Sequence, residues 1–369
     1  VVEMAADCDL PPERVKDICD TLEDYPAVLP PLLELAKEFQ RTSFCTLAVA
    51  LRLMFPAQMR GQRIREKQQE VAVLTVAPDV LGQVIAAQVR APKRAKVLRT
   101  LADAPDMELT TAALRETVGD CRDALNALCK MGFVKLEKRE SLRRPYGAME
   151  RLSEKDPRLT RQQEDVLAEL LPAVERGQGE FLLYGVTGSG KTMVYLRLIS
   201  KVLALGKTAL VLVPEIALTP QLMETFMRHF GDQVAVLHSA LQTGQRYDEW
   251  KRIRAGKATV VVGTRSAVFA PLQNLGLIVL DEEHESSYKS EMNPRYHARE
   301  VAIWRGAREG ASVVLGSATP SITTMYLAKT DVYHLARLKN RYNGQAMPKV
   351  ILADMKQELQ ELKMHVLQL

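Results

Sequence analysis

Short runs of apolar residues recur along the second half of the chain, and they predict the core of its fold. From Leu159 onward these runs are continuous and do not alternate with polar residues. They are separated by stretches long enough for helices, such as residues 192–205 and 220–230. The runs occupy residues 181–184, 208–213, 234–237, 259–262, 277–280 and 312–315. Continuous runs favour strands that are covered on both faces, so we expect a doubly wound α/β domain around a mainly parallel sheet.

The first ninety residues follow a different pattern. Apolar residues at helical spacing predict one helix that starts near Pro11 and another that begins over residues 32–39. Pro26, Pro30 and Pro31 interrupt the interval between them. Residues 61–90 carry charge first and short β-branched runs afterwards, which indicates a linker or a small strand pair.

Residues 91–150 predict a small domain of short elements. Helices are expected over residues 95–102, from Thr110 onward and over 120–130, and the alternation over 133–137 is typical of a strand. Three short helices followed by a β-hairpin make the outline of a winged helix. Such domains bind DNA through the third helix or bind protein partners, and both options stay open at this point.

Composition and charge narrow the class of protein. With 369 residues the chain has room for two or three domains, and no apolar run approaches a membrane span. The net charge is +5, and residues 90–155 alone carry 15 Lys/Arg against 10 Asp/Glu. A basic segment suggests a polyanionic partner, although a solvated surface would give the same count. Five cysteines without a C-x-x-C pair predict reduced thiols, a cytoplasmic protein and no zinc ligands in this chain.

A complete phosphate-loop motif follows the first apolar strand. Residues 185–192 match G-x-x-x-x-G-K-[ST], and a helix is predicted directly after them. The glycines would let the backbone N–H groups approach phosphate oxygens, and Lys191 would reach the β- and γ-phosphates of ATP. Thr192 opens the helix and could ligate Mg²⁺ through its hydroxyl. The candidate ATP-binding residues are Gly185, Val186, Thr187, Gly188, Ser189, Gly190, Lys191 and Thr192.

Two adjacent acids complete the candidate site. Asp281 and Glu282 follow the apolar run 277–280, which would bring them to the carboxyl edge of the sheet beside the phosphate loop. Asp281 would hold Mg²⁺, and Glu282 would orient or deprotonate the attacking water. His284 could couple this site to the loop 316–319, and Gln163 could recognise adenine through its amide.

The order of these motifs resembles a known family. Residues 185–192, 213–221, 263–267, 281–284 and 316–320 stand in series and are similar to the motifs of the bacterial PriA (primosomal protein N′) replication-restart helicases of superfamily 2. The resemblance implies an ATP-dependent helicase that moves 3′ to 5′, recognises stalled or collapsed forks and helps reload the replicative helicase. It also implies forked and single-stranded DNA, single-stranded DNA-binding protein and primosome or helicase-loader proteins as partners. A monomer near the nucleoid, without membrane contact, is expected.

Residues 287–299 resemble the aromatic-rich loop of that family, which senses DNA and signals to the ATP site. On this basis Tyr288 and Tyr296 would stack on bases, while Lys289 and Arg295 would supply positive charge. The loop has Glu-Met-Asn-Pro at 291–294 where some relatives carry a tryptophan. The predicted DNA-binding residues are Arg265, Ser266, Tyr288, Lys289, Arg295 and Tyr296.

The resemblance also predicts how the domains divide. Residues 1–60 would be the C-terminal part of a 3′-end DNA-binding domain, 61–90 a linker and 91–150 a winged helix. Residues 155–330 would form a RecA-like helicase lobe 1, and 331–369 a connector. A second lobe and a Zn²⁺ site held by paired cysteines are expected outside this chain, so we interpret the sequence as a fragment with little activity of its own.

Two other functions are compatible with parts of the pattern. The chain could be a DNA-binding loading platform that uses ATP only as a switch, although the intact Asp281 and Glu282 favour hydrolysis. A small-molecule P-loop kinase would need a lid and substrate-binding arginines after the phosphate loop. The acidic motif and the loop 316–319 argue against a kinase.

Overall fold

The computed structural model describes residue 11 and residues 26–56, 68–146, 158–342, 344 and 354–358. The helix predicted from Pro11 and most of the predicted connector lie outside these residues. The chain forms two compact units, and each is treated by itself below. One comprises residues 1–54, 149–238 and 253–369, and the other comprises residues 55–148 and 239–252.

The helices and strands are as follows. The helices are α1 Pro30–Thr42, α2 Leu47–Met54, α3 Pro78–Ala87, α4 Pro92–Ala102, α5 Thr111–Val118, α6 Arg122–Lys130, α7 Arg161–Arg176, α8 Lys191–Ala204, α9 Pro220–Phe230, α10 Thr243–Arg254, α11 Ala298–Glu309 and α12 Ile322–Lys329. The strands are β1 Gln68–Leu74, β2 Glu108–Thr110, β3 Val134–Glu140, β4 Glu180–Gly185, β5 Thr208–Leu212, β6 Val234–Leu237, β7 Val260–Gly263, β8 Leu275–Leu280, β9 Lys289–Ser290, β10 Tyr296–His297, β11 Ser312–Ser317 and β12 His334–Leu338.

The first unit is built on a seven-stranded parallel sheet. Its strand order is β12-β4-β11-β8-β5-β7-β6, and every neighbouring pair runs parallel. All residues of β8 and β11 are buried, which requires cover on both faces of the sheet. The predicted doubly wound α/β fold is therefore confirmed. Because β11 lies between β4 and β8, the segments that follow these three strands meet at one edge of the sheet.

The sheet extends beyond the boundary predicted at residue 330. Strand β12 pairs in parallel with β4, from His334 opposite Phe181 to Leu338 opposite Gly185. Only Ala336 and Leu338 of this strand are buried. His334 and Arg337 of β12 are exposed and interrupt its apolar residues, which explains why the search for continuous apolar runs did not reveal this strand.

The α1–α2 hairpin belongs to the same unit as the parallel sheet. Leu32, Leu35 and Phe39 of α1 lie in one core cluster with residues of the sheet. The Phe39 ring lies 6.1 Å from the ring of Phe269 and 6.1 Å from that of Tyr296. The predicted helix over residues 32–39 is present as part of α1, and α2 follows it; both helices pack on the α/β core.

The second unit is a small α/β arrangement. Strands β2, β1 and β3 form an antiparallel sheet with β1 in the centre, and helices α4, α5 and α6 supply most of its core. Helix α5 is capped by Thr110, whose hydroxyl accepts a hydrogen bond from the Ala113 N–H, as its position before the helix predicts. Residues 239–252, which include most of α10, belong to this unit. Asp248 there accepts a hydrogen bond of 2.7 Å from the Arg143 N–H.

Two expectations for this unit differ from the structure. Residues 68–74, inside the predicted linker, form the central strand β1. Strand β3 pairs with β1 over seven residues, from Gln68 opposite Glu140 to Leu74 opposite Val134. The predicted hairpin partner after β3 lies largely outside the described residues. The sequence pattern did not reveal this long-range pairing because a strand partner 60 residues away leaves no local signal.

None of the helices that the structure describes is both long enough and apolar enough to cross a membrane.

Candidate functional site: a nucleotide edge and its acidic loop

The phosphate loop lies between β4 and α8. Gly188 and Gly190 have φ angles of +77° and +82°, in the left-handed region that favours glycine. A Cβ on Gly190 would collide with the Gln163 amide, whereas a Cβ on Gly188 would meet nothing within 4 Å. Thr187 and Gly188 are exposed. The loop therefore presents an open backbone surface at the N-terminus of a 14-residue helix, which is a favourable place for an anion.

Lys191 connects this loop to the acidic motif. Its side chain is 9% exposed, its Nζ donates a hydrogen bond of 3.2 Å to the Gly185 carbonyl, and Nζ lies 3.6 Å from Glu282 Oε1. The structure thus brings together the lysine and the carboxylate that the sequence placed at the same edge of the sheet. A buried cation with a partner 3.6 Å away is poised to exchange that partner for a phosphate oxygen.

Asp281 is held by two tyrosine hydroxyls. Its Oδ1 accepts a hydrogen bond of 2.8 Å from Tyr195, and its backbone carbonyl accepts one of 2.7 Å from Tyr288. Burial raises the pKa of the Asp281 carboxyl, while the Tyr195 hydrogen bond and the nearby Lys191 charge act in the opposite direction. The carboxylate is therefore oriented by a hydroxyl and partly desolvated, which are suitable conditions for a ligand of a divalent cation.

Glu283 is the centre of a buried polar network. It is 1% exposed and accepts hydrogen bonds from Arg299 Nη1 at 2.9 Å, from the Ser321 N–H at 2.7 Å and from Thr324 Oγ1 at 2.8 Å. The Glu283 N–H donates to the Gly316 carbonyl. The acidic loop is thus joined to the end of β11 and to the start of α12.

His284 contacts the loop that the sequence suggested. Its Nδ1 lies 2.9 Å from Ser317 Oγ, and its Nε2 lies 3.3 Å from Thr319 Oγ1. The Thr319 N–H in turn donates to Ser317 Oγ at 3.0 Å. The predicted contact is present, and its coupling role remains a prediction.

The donor set suits magnesium and a nucleoside triphosphate. Ser189 Oγ is buried and has no hydrogen-bond partner among the described residues, as expected of a group that awaits a ligand. Thr192 is half-buried in the first turn of α8. The hydroxyl of Thr192 and the carboxylate of Asp281 are oxygen ligands of the kind that Mg²⁺ prefers, and Lys191 supplies the charge for phosphate.

Gln163 does not have the role predicted for it. Its Oε1 accepts a hydrogen bond from the Thr160 N–H at 2.8 Å in a capping box, and its Nε2 donates to the carbonyls of Ser189 and Gly190. With both amide atoms engaged and the side chain fully buried, it cannot recognise adenine in this conformation. The Gln163 amide instead holds the backbone of the phosphate loop from the interior of the protein.

Tyr288 and Tyr296 also differ from prediction. Tyr288 is fully buried, so the expectation that it offers a stacking face to DNA is wrong for this structure. Tyr296 is half-buried, and its ring packs edge-on against that of Phe269 at 5.0 Å. Both rings pack against other parts of the protein, because aromatic residues bury a large apolar area when a pocket is available to them.

The other predicted DNA contacts divide into two kinds. Arg265 Nη1 donates to the carbonyls of Lys289 at 2.6 Å and Ser287 at 3.3 Å, so this side chain holds the loop that follows the acidic motif, residues 286–297. Ser266, Lys289 and Arg295 are exposed and can reach a ligand.

Sequence reasoning missed two residues that organise the site. Tyr195 lies four positions after Lys191 on α8, and this spacing places both side chains on one face of the helix. The spacing could therefore have identified Tyr195 as a candidate site residue from the sequence. Arg299 carries no local signal, because its partners Glu283 and Thr324 come from distant parts of the chain.

The fold and the site together define the class. A parallel α/β sheet with a phosphate loop after one strand and an acidic pair after another is the architecture of a RecA-like P-loop lobe. In agreement, residues 160–327 match the DEAD/DEAH box helicase family, and residues 1–56 match the 3′ DNA-binding domain (3′BD) of PriA. The chain belongs to the PriA family of replication restart proteins, as the resemblance predicted.

Individual relatives show the extent of the similarity. The chain is 46% identical over 273 residues to the replication restart protein PriA of Bacillus subtilis, covering 73% of this chain and 34% of the relative. It is 35% identical over 334 residues to PriA of Chlamydia trachomatis, covering 90% and 44%. The chain thus spans between a third and a half of the length of these relatives. Among solved structures it resembles RecG bound to a three-way DNA junction, with a TM-score of 0.42, 23% identity and coverage of 56% and 27%.

Proposed function

We propose that the protein to which this chain belongs is an ATP-dependent DNA helicase of the primosome that restarts replication at stalled or collapsed forks. It moves 3′ to 5′ on DNA and helps reload the replicative helicase. Single-stranded DNA-binding protein and helicase-loader proteins are its partners. The support is the family membership together with the ATP-type site that this chain carries.

One observation supports this function most directly. Lys191, Asp281 and Glu282 come from segments 90 residues apart, yet Lys191 Nζ lies 3.6 Å from Glu282 Oε1. A phosphate-binding lysine and a hydrolytic carboxylate must share one cleft in an ATPase, and the short distance between Lys191 and Glu282 supports these roles.

Each residue then has a physical task in ATP hydrolysis. The backbone of residues 185–190 and the Lys191 ammonium would bind the phosphates, and Thr192 and Asp281 would hold a magnesium ion. When bound, magnesium would supply positive charge against the charge that develops on the phosphate oxygens. Glu282 orients the attacking water and accepts its proton. His284, through Ser317 and Thr319, links these acids to the loop after β11.

DNA contact is assigned to exposed residues of the loop after the acidic motif, residues 286–297, and of the segment after β7. Lys289, with 63% of its side chain exposed, and Arg295 in that loop would contact phosphates together with Ser266 after β7. The Tyr288 hydroxyl fastens the loop to the Asp281 carbonyl, and Arg265 fastens it to the segment after β7, so that movement of the loop would be felt at Asp281.

The test uses Lys191→Ala in the whole protein. We expect loss of DNA-stimulated ATP hydrolysis and of fork restart together, with DNA affinity retained. Lys201→Ala, at the far end of the same helix, serves as the control. Restart without ATP hydrolysis would instead favour the loading platform that uses nucleotide only as a switch.

A further inference from the structure

We propose that Tyr195 is the positioning residue for Asp281 and that its hydroxyl sets the orientation in which this carboxylate receives Mg²⁺. Its role rests on the ATP-binding function proposed above. Tyr195 is 1% exposed and lies in α8, one turn beyond Lys191. Its hydroxyl donates a 2.8 Å hydrogen bond to Asp281 Oδ1, which follows β8. One helix thus carries both the phosphate-binding lysine and the group that orients the candidate magnesium ligand.

Strand β11 leaves room for the Tyr195 hydroxyl because it has a glycine at the point of contact. Gly316 lies in β11, the strand between β4 and β8. A Cβ on Gly316 would overlap the Tyr195 hydroxyl, and it would lie 2.9 Å from Tyr195 Cζ and 3.1 Å from Asp281 Oδ1. Glycine is therefore required here for a steric reason. Its carbonyl meanwhile accepts the Glu283 N–H, so the same residue binds the acidic loop.

The arrangement has a chemical consequence. A carboxylate at the end of a strand can rotate about its side-chain bonds, and only some rotamers suit a metal ion. The buried Tyr195 hydroxyl holds one carboxylate oxygen of Asp281 and so selects the side-chain rotamer before nucleotide binds. Less conformational entropy is then lost when the metal ion binds. Such outer contacts typically change metal affinity by about 10-fold or more when they are removed.

The test measures metal affinity and not turnover alone. The variants are Tyr195→Phe, which removes only the oxygen, Asp281→Asn, and Tyr333→Phe as a control at a buried tyrosine just before β12. Mn²⁺ is titrated into the whole protein that contains this chain, with a non-hydrolysable ATP analogue, and binding is followed by electron paramagnetic resonance. Thermal unfolding is recorded for each variant without nucleotide.

We expect Tyr195→Phe to weaken Mn²⁺ binding by about 10-fold while analogue binding without metal stays unchanged. Asp281→Asn should weaken it at least as much, and Tyr333→Phe should match the unchanged chain. Equal Mn²⁺ affinity in Tyr195→Phe and the unchanged chain would overturn the role of Tyr195, provided that Asp281→Asn is weakened. If Asp281→Asn also binds Mn²⁺ normally, or the unchanged chain does not bind it with the analogue, the proposed ATP site itself is wrong.

A double variant guards against a purely structural explanation. Gly316→Ala should lower both thermal stability and Mn²⁺ affinity, because the new methyl group overlaps the Tyr195 oxygen. In Gly316→Ala/Tyr195→Phe part of the lost thermal stability should return, since that oxygen is gone. Strictly additive losses would show that the hydroxyl does not occupy the predicted space, and the proposal would then fail.

Discussion

Two loops at the same edge of the sheet use their polar groups in opposite ways. In the phosphate loop, residues 185–192, Thr187 and Gly188 are exposed, and Ser189 Oγ has no partner within the described part of the chain. In the loop that follows the acidic motif, residues 286–297, the Tyr288 hydroxyl donates to the Asp281 carbonyl, and the Ser287 and Lys289 carbonyls accept from Arg265. One loop is prepared for a ligand, and the other is mostly engaged with the protein itself.

This difference shows what residue type can and cannot indicate. Glycines with positive φ and a lysine at a helix start have few structural uses, so their chemistry follows from the motif. Tyrosine and arginine serve equally well for binding DNA and for filling and bracing an interior. Only their surroundings decide which use applies.

The largest effect is expected from Arg299→Met in the first turn of α11, directly after the second loop. Glu283 would keep its charge in a buried site without its cation, which typically costs about 3–5 kcal/mol. Denaturant unfolding of the chain measures this loss. Arg295→Met, an exposed arginine of the second loop, should change stability by less than about 0.5 kcal/mol. Equal effects of the two substitutions would mean that the Glu283 network does not stabilise the fold.

Lys191→Ala tests whether the phosphate loop binds nucleotide. Removal of a charge-assisted hydrogen bond to phosphate should weaken binding of an ATP analogue by about 100-fold, or about 2.7 kcal/mol. Calorimetry or a fluorescent analogue gives the affinity, with Lys201→Ala as the matched surface control. Affinity within about twofold of the unchanged chain would contradict the assignment of this loop.

The exposed charges of the second loop should matter for DNA. Lys289→Glu combined with Arg295→Glu is expected to weaken binding of single-stranded DNA by about 10-fold at low salt and by less at high salt. Tyr288→Leu, which removes the aromatic ring, should leave DNA affinity unchanged because the ring is buried. Fluorescence anisotropy at several salt concentrations measures both, and circular dichroism checks that the Tyr288→Leu variant is folded. A large loss of DNA affinity in a folded Tyr288→Leu variant would mean that this ring leaves the interior to bind DNA.

The smallest expected effect is a change in the pH dependence of stability. His297 caps α11 by accepting the Arg299 N–H on Nδ1, and its pKa is lowered by burial and by the nearby Arg299 charge. The neutral ring is thus favoured in the folded state. Its contribution to stability is present above the pKa of the unfolded chain and is lost as the pH falls through the lower folded value.

His297→Asn keeps a cap that does not titrate. Thermal midpoints between pH 8 and pH 5 should therefore fall less in this variant than in the unchanged chain. We expect a difference of less than about 1 kcal/mol, since the side chain is half-buried and solvent screens its charge. If the thermal midpoints of His297→Asn and of the unchanged chain fall equally with pH, His297 is not a source of the pH dependence of stability.

The sequence alone established the class of the fold and the position of the nucleotide edge. Six of the seven strands of the parallel sheet were recognisable because strands buried on both faces must be continuously apolar. The phosphate loop and the acidic pair were recognisable because each directly follows such a strand. The resemblance to PriA rested on the same local motifs.

Tertiary structure decided the directions and partners of the side chains. The central place of β1, the burial of Tyr288, the inward-facing amide of Gln163 and the contact between Tyr195 and Asp281 all depend on segments far apart in the chain. Local periodicity reports whether a residue is apolar and on which face of its own element it lies. It carries no information about which distant group will satisfy a buried hydrogen bond, because that choice is made only when the elements pack together.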